Sequence, residues 1–185
     1  MKFHSCSIFI FLLLVSGGCG ERKETRRTLY SFMEKEIVFP EKAFLVKNGS
    51  VSVADIEKER PVLVSFYGYS DCYECEIAHL NSKYSLFALA DSLKSFHLLI
   101  IFAPEVNEIK HTLNDLEYEQ FPFPVFVTLD DGWIRDCGIP KDRRFHTFLL
   151  DSVNHPVFVG DPTASPELMK LFKRRLINLR WNSLY

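Results

Sequence analysis

Three stretches of this chain are apolar at nearly every position, so neither face of a strand built from them could be left to water. They are Pro61 to Tyr67 (Pro-Val-Leu-Val-Ser-Phe-Tyr), Phe96 to Phe102 (Phe-His-Leu-Leu-Ile-Ile-Phe) and Pro124 to Leu129 (Pro-Val-Phe-Val-Thr-Leu). A half-exposed strand alternates apolar and polar residues; a strand covered on both faces does not. The intervening segments carry helical spacing instead. Ile77, Leu80, Leu86, Leu89 and Leu93 mark one helix over Cys75 to Leu93, and a second is expected over Glu105 to Tyr118. Strand, helix, strand, helix, strand implies right-handed crossovers and a parallel core, hence an α/β fold.

The flanking segments complete the outline. Leu29 to Pro40 suggests a short helix or an extended lead-in, followed by a turn at Asn48-Gly49-Ser50 and a small polar helix around Val53 to Glu59. Phe145 to Asp151 and Pro156 to Gly160 read as an antiparallel hairpin. Ser165-Pro-Glu-Leu opens the last helix, with Ser165 as N-cap, Pro166 at the first position and Glu167 favoured by the helix dipole. Its expected buried stripe is Leu168, Leu171, Phe172, Leu176 and Ile177.

With 185 residues, 47% of them hydrophobic, the chain can bury one sizeable core. A net charge of -2 gives no basic field for phosphate backbones, so nucleic acid is not an expected partner. No Gly-rich phosphate loop, Gly-x-Ser-x-Gly elbow or His-Glu-x-x-His helix occurs, which leaves hydrolase and nucleotide chemistry without a motif. No cofactor is expected. The 17 phenylalanines fall mostly on predicted strands and helices, where the core absorbs them.

At the amino end, Lys2 precedes an apolar run from Ile8 to Val15 that is too short to span a bilayer, which takes about 20 residues. Ser16, Gly17 and Gly18 then stand directly before Cys19. This resembles a bacterial lipobox, although Ser16 replaces the usual Leu. The resemblance implies a signal peptide over 1–18 and lipidation of Cys19. It places the rest on a membrane anchor in the cell envelope, on the periplasmic or cell-surface side. Residues 19–50 are then tether and lead-in, with Gly20 to Thr28 charged and solvated, and 51–185 form the folded domain.

Cys72-Tyr-Glu-Cys75 falls between the first buried strand and the helix after it. Unpaired amides at a helix start favour a thiolate, chiefly on the first cysteine. Cys72 is then the nucleophile and Cys75 the resolving thiol of a pair cycling between dithiol and disulfide. The same spacing serves zinc sites, and the preceding strand and following helix make the redox reading more specific. Cys137 lies in a later loop, either as a third redox thiol or as a partly buried free cysteine.

With these elements in place, the chain over roughly Val51 to Leu179 resembles the thioredoxin-like superfamily, in particular exported bacterial thiol–disulfide oxidoreductases. The resemblance implies a three-layer sandwich, a central mixed sheet flanked by helices. It also implies Cys72 and Cys75 as catalytic residues, His146 and Thr147 in the substrate-docking loop, and exported proteins with thiols or disulfides as partners. A membrane-side reductant would regenerate the pair.

Three departures stand out. The family's Trp-Cys-Gly-Pro-Cys is Asp71-Cys72-Tyr73-Glu74-Cys75 here, so Asp71, Glu74 and Glu76 surround the pair with negative charge that opposes a thiolate. The family's cis-proline is His146, and because a non-proline cis bond costs about 3 kcal/mol, a trans bond and a reshaped docking loop are expected. Cys72, Cys75 and His146, with His79 one turn along, also offer soft ligands suited to Zn(II) or Cu(I). The alternative is therefore a non-catalytic binding or structural lipoprotein whose cysteines form a static disulfide or hold a metal.

Overall fold

The structure, a computed structural model, describes residues 17–56, 61–68, 71–128 and 133–182. The apolar run from Ile8 to Val15, expected to be part of a signal peptide, together with Ser16 and the side chain of Cys19, lies outside the described residues. Among the described residues no helix is long and apolar enough to cross a membrane.

Among the described residues, seven strands form one sheet: β1 (Ala43–Lys47), β2 (Ser50–Ala54), β3 (Val62–Tyr67), β4 (His97–Phe102), β5 (Val125–Thr128), β6 (Thr147–Leu150) and β7 (Pro156–Val159), in the order β2-β1-β5-β4-β3-β6-β7. The three apolar runs are the three central parallel strands. β3 pairs with β4, and β4 with β5, in parallel, whereas the outer pairings are antiparallel. Every residue of β3 is buried, as its unbroken apolar sequence requires.

Helices cover both faces. They are α1 (Gly17–Met33), α2 (Tyr73–Ala78), α3 (Tyr84–Leu93), α4 (Ile109–Glu119), α5 (Trp133–Asp136) and α6 (Pro166–Asn182). Val62, Val64 and Phe66 share one core with Phe32 of α1, Trp133 of α5 and Phe148 of β6. On the opposite face, Tyr67 packs with Tyr73, Ile77 and Leu116 of α2 and α4, and Leu63 packs with Leu86 of α3 and Phe172 of α6. Adjacent residues of a strand point to opposite faces, so one strand feeds both cores. A mixed α/β sheet between two layers of helix is the three-layer arrangement that the resemblance implies.

Several local expectations are corrected. Gly20 to Thr28 lie in α1 rather than in a loose tether, although most of these residues are exposed. The helix docks through its far end, where Phe32 is buried with its ring 5.2 Å from Phe148, edge to face. Val53 and Ala54 belong to β2, not to a polar helix. Asn48 and Gly49 both take positive φ (50° and 69°), which makes a two-residue hairpin turn whose twist brings Ser50 opposite Lys47.

The helix expected over Cys75 to Leu93 breaks at His79, where a 3₁₀ segment (Leu80–Lys83) intervenes. The His79 ring takes the Cys75 carbonyl at 2.6 Å through Nδ1, the acceptor a continuous helix would give to the His79 amide. In α6, Ser165 caps the Leu168 amide as expected, at 3.2 Å. Phe172 and Leu176 are buried, but Leu171 and Ile177 are exposed, because only the i, i+4 row faces the sheet.

Candidate functional site

β3 delivers the chain at its carboxyl end, and Cys72 is the N-cap residue of α2 with extended backbone (φ -78°, ψ 96°). The Glu76 amide donates to the Cys72 carbonyl at 3.0 Å, which closes the first helical turn. Cys72 and Cys75 are joined as a disulfide, with Cα atoms 5.3 Å apart, and both residues are exposed. Tyr73, between them, anchors the turn. Its hydroxyl donates to the Ala103 carbonyl at 3.0 Å just past β4, and burial pushes its ionisation well above the usual tyrosine range.

The three acidic residues around the pair have three different environments. The Asp71 side chain is fully buried, accepts the Gly68 amide at 2.8 Å, and meets Nε of Arg143 at 2.8 Å. Burial pushes the Asp71 carboxyl up, but contact with His146, the Gly68 amide and the charge of Arg143 outweigh it and hold it below the ordinary carboxylate value. Glu76 is paired with the same guanidinium. Glu74 is exposed, 3.7 Å from Nε2 of His111 on α4. The negative field foreseen from the sequence is therefore offset at Asp71 and Glu76 by Arg143, a residue that sequence reasoning missed. Its only trace there is the mixed charge run Asp142-Arg143-Arg144, far from the cysteines along the chain.

His146 is buried beside this cluster. Its Nε2 lies 3.0 Å from the Pro140 carbonyl and its Nδ1 3.6 Å from Oδ2 of Asp71, and its ring stands edge-on to Phe66 at 5.0 Å. Both its backbone polar groups are engaged within the chain: the amide donates to the Arg143 carbonyl at 3.0 Å, and the carbonyl accepts from the Phe66 amide at 2.8 Å. Thr147 opens β6 opposite Ser65, and its carbonyl accepts the Gly160 amide at 2.7 Å.

The alternative metal set of Cys72, Cys75 and His146 is not converged in this disulfide form. The sulfurs are bonded to each other, the two His146 nitrogens face Pro140 and Asp71, and His79 turns to a carbonyl. Among the described residues, a different trio brings its ligand atoms within 4.8 Å of one another: Glu74, His111 and Asp115, of which Glu74 and His111 are exposed. Cys137 is buried, and its thiol donates to the Val38 carbonyl at 3.3 Å.

A groove of about 440 Å³ opens beside the disulfide, between α2 and the start of α4. Cys72, Tyr73 and Glu74 form one wall, and Glu108, His111 and Thr112 the other.

No protein-family model matches the chain, and no curated protein does. Solved structures do. The solution structure of an uncharacterized thioredoxin-like protein from Porphyromonas gingivalis aligns over 79% of this chain and 94% of its own, with TM-score 0.46 and 13% identity. The solution structure of a thioredoxin-like protein in the oxidized form aligns over 80% of this chain and 95% of its own, with TM-score 0.40 and 16% identity.

Proposed function

We propose that this chain is a thiol–disulfide oxidoreductase of the bacterial cell envelope, held to a membrane by lipid at Cys19 and acting on disulfides of exported proteins. The observation that carries the reading is the exposed Cys72–Cys75 disulfide at the start of the helix that follows the central strand. An exposed bond is open to in-line attack by a third sulfur, and the cap position supplies unpaired amides that favour a departing thiolate at Cys72.

In the reducing direction the Cys72 thiolate attacks a client disulfide. A Cys72–client bond forms, and the released client thiolate takes up a proton. The Cys75 thiolate then attacks Cys72, freeing the second client thiolate and closing the Cys72–Cys75 bond. An external dithiol reductant on the membrane side returns the pair to the reduced state.

Insulin reduction coupled to a dithiol reductant tests this reading. Turnover by the wild type, abolished in Cys72→Ser, is the expected result. No turnover by the wild type, together with a reduction potential below about -300 mV, would instead mark a static bridge. That second reading draws support from His146, whose amide and carbonyl are both occupied where the family docks its substrate.

A further inference from the structure

We propose that the groove between α2 and α4 is where a client polypeptide lies, and that it selects clients carrying Lys or Arg beside the cysteine. The inference rests on the oxidoreductase reading and adds the class of substrate to it. Cys72 lies in the wall of this groove, so a chain bound there has its sulfur next to the nucleophile. None of residues 143–147 lines it, and the backbone of His146 offers an incoming strand no free amide or carbonyl. The groove, by contrast, is an open concavity with Cys72 in its wall.

The charge of the groove sets its preference. Glu74 and Glu108 line its two walls, both exposed, and among the described residues no Lys or Arg lines it. Glu105 sits near enough to act, with Glu108, on the Tyr73 hydroxyl in the groove wall. Asp71 also lines the groove, but Arg143 already matches its charge. His111 is held at its other nitrogen by Asp115, at 2.9 Å, and leaves the far end of the groove polar. A cationic side chain entering here exchanges water for Glu74, which has only the His111 ring at 3.7 Å, and Glu108, neither paired with a Lys or Arg among the described residues, and its approach is steered by their field.

The test uses the full chain with Cys75→Ser, reduced, so that a Cys72–client bond once formed persists. Two peptides identical except for Lys or Glu on either side of one cysteine are activated as mixed disulfides with thionitrobenzoate. The Cys72 thiolate attacks the peptide sulfur, the Cys72–peptide bond forms, and thionitrobenzoate leaves as the thiolate. The adduct is followed by mass spectrometry, with hydroxyethyl disulfide as an uncharged control.

The Lys peptide is expected to react about 3–10-fold faster than the Glu peptide in low salt. That ratio should fall towards one in high salt and in a variant also carrying Glu74→Gln and Glu108→Gln. Equal rates for the two peptides, with the control still reacting, overturn the groove and leave the oxidoreductase reading intact. A preference that survives both Gln substitutions also overturns it. If Cys72 reacts with neither the peptides nor the control, both readings fall.

Discussion

Nδ1 of His146 lies 3.6 Å from Oδ2 of Asp71, the residue directly before Cys72, and both side chains are buried. The other ring nitrogen, Nε2, faces the Pro140 carbonyl at 3.0 Å. A carbonyl only accepts, so Nε2 carries a hydrogen, and the ring then meets the carboxylate through Nδ1. Arg143 closes the cluster from outside by reaching Asp71 and Glu76 together.

Replacing His146 by Phe keeps the ring against Phe66 and removes the contact to Asp71. The Asp71 carboxyl, held below its ordinary value of 3.8 despite burial, should then titrate higher. The sign for stability follows: a depressed carboxyl stabilises the fold above its unfolded value and loses that contribution as pH falls through the folded one. Wild type should therefore lose stability as pH drops from about 4 downwards, whereas His146→Phe, less stable at neutral pH, should lose less over the same range because its folded and unfolded values lie closer together. Carboxyl NMR titration and urea melts from pH 2 to 7 check both; an unmoved Asp71 titration would show that His146 does not act on it.

Arg143 is the positive charge set against the acidic residues around the pair. In reduced Arg143→Gln, Asp71 and Glu76 act unopposed on the nucleophile and its thiolate becomes harder to form. Alkylation of Cys72 by iodoacetamide at neutral pH should slow about 3–10-fold relative to wild type, with the difference closing at high pH. A rate unchanged across the pH range would remove Arg143 from the site.

Phe32 is 2% exposed and packs edge-on against Phe148 and Phe145, which ties α1 to the sheet. Truncation to Ala should cost about 3–5 kcal/mol in chemical denaturation. Hydrogen exchange along 20–33 should quicken as the helix loses its anchor. A loss below about 1 kcal/mol would mean that α1 does not rest on this face in solution.

Lys83 and Asp161 form a largely buried ion pair at 3.1 Å, linking the 3₁₀ segment after α2 to the loop after β7. Burial opposes the Lys83 charge, yet the neighbouring Tyr67 and Asp161 raise its ionisation above the ordinary lysine value. Its contribution is thus complete below the ordinary lysine range and fades only in strong alkali. Lys83→Met should cost about 1.5–3 kcal/mol at neutral pH, since Asp161 keeps its bonds to Thr163. Thermal melts at pH 7 and in alkali compare the two proteins, and equal stability at pH 7 would show the pair to be idle.

Much of this protein is written locally. Val62 to Tyr67, His97 to Phe102 and Val125 to Thr128 are strands because an apolar run of that length has no other way to bury both sides, and their order along the chain sets the parallel core. The Asn48-Gly49 turn and the Ser165 cap are equally local, each needing only a few adjacent residues. So is the placement of Cys72 and Cys75 between a strand and a helix. What the residues around them do was decided by the tertiary structure alone. That Arg143 offsets Asp71 and Glu76, that His146 turns to Asp71, that α4 brings Glu108 across from Glu74, and that α1 docks through Phe32 all depend on segments distant in sequence. No periodicity or spacing encodes such meetings, because a side chain's charge, burial and partner are properties of the packed sheet and not of its neighbours along the chain.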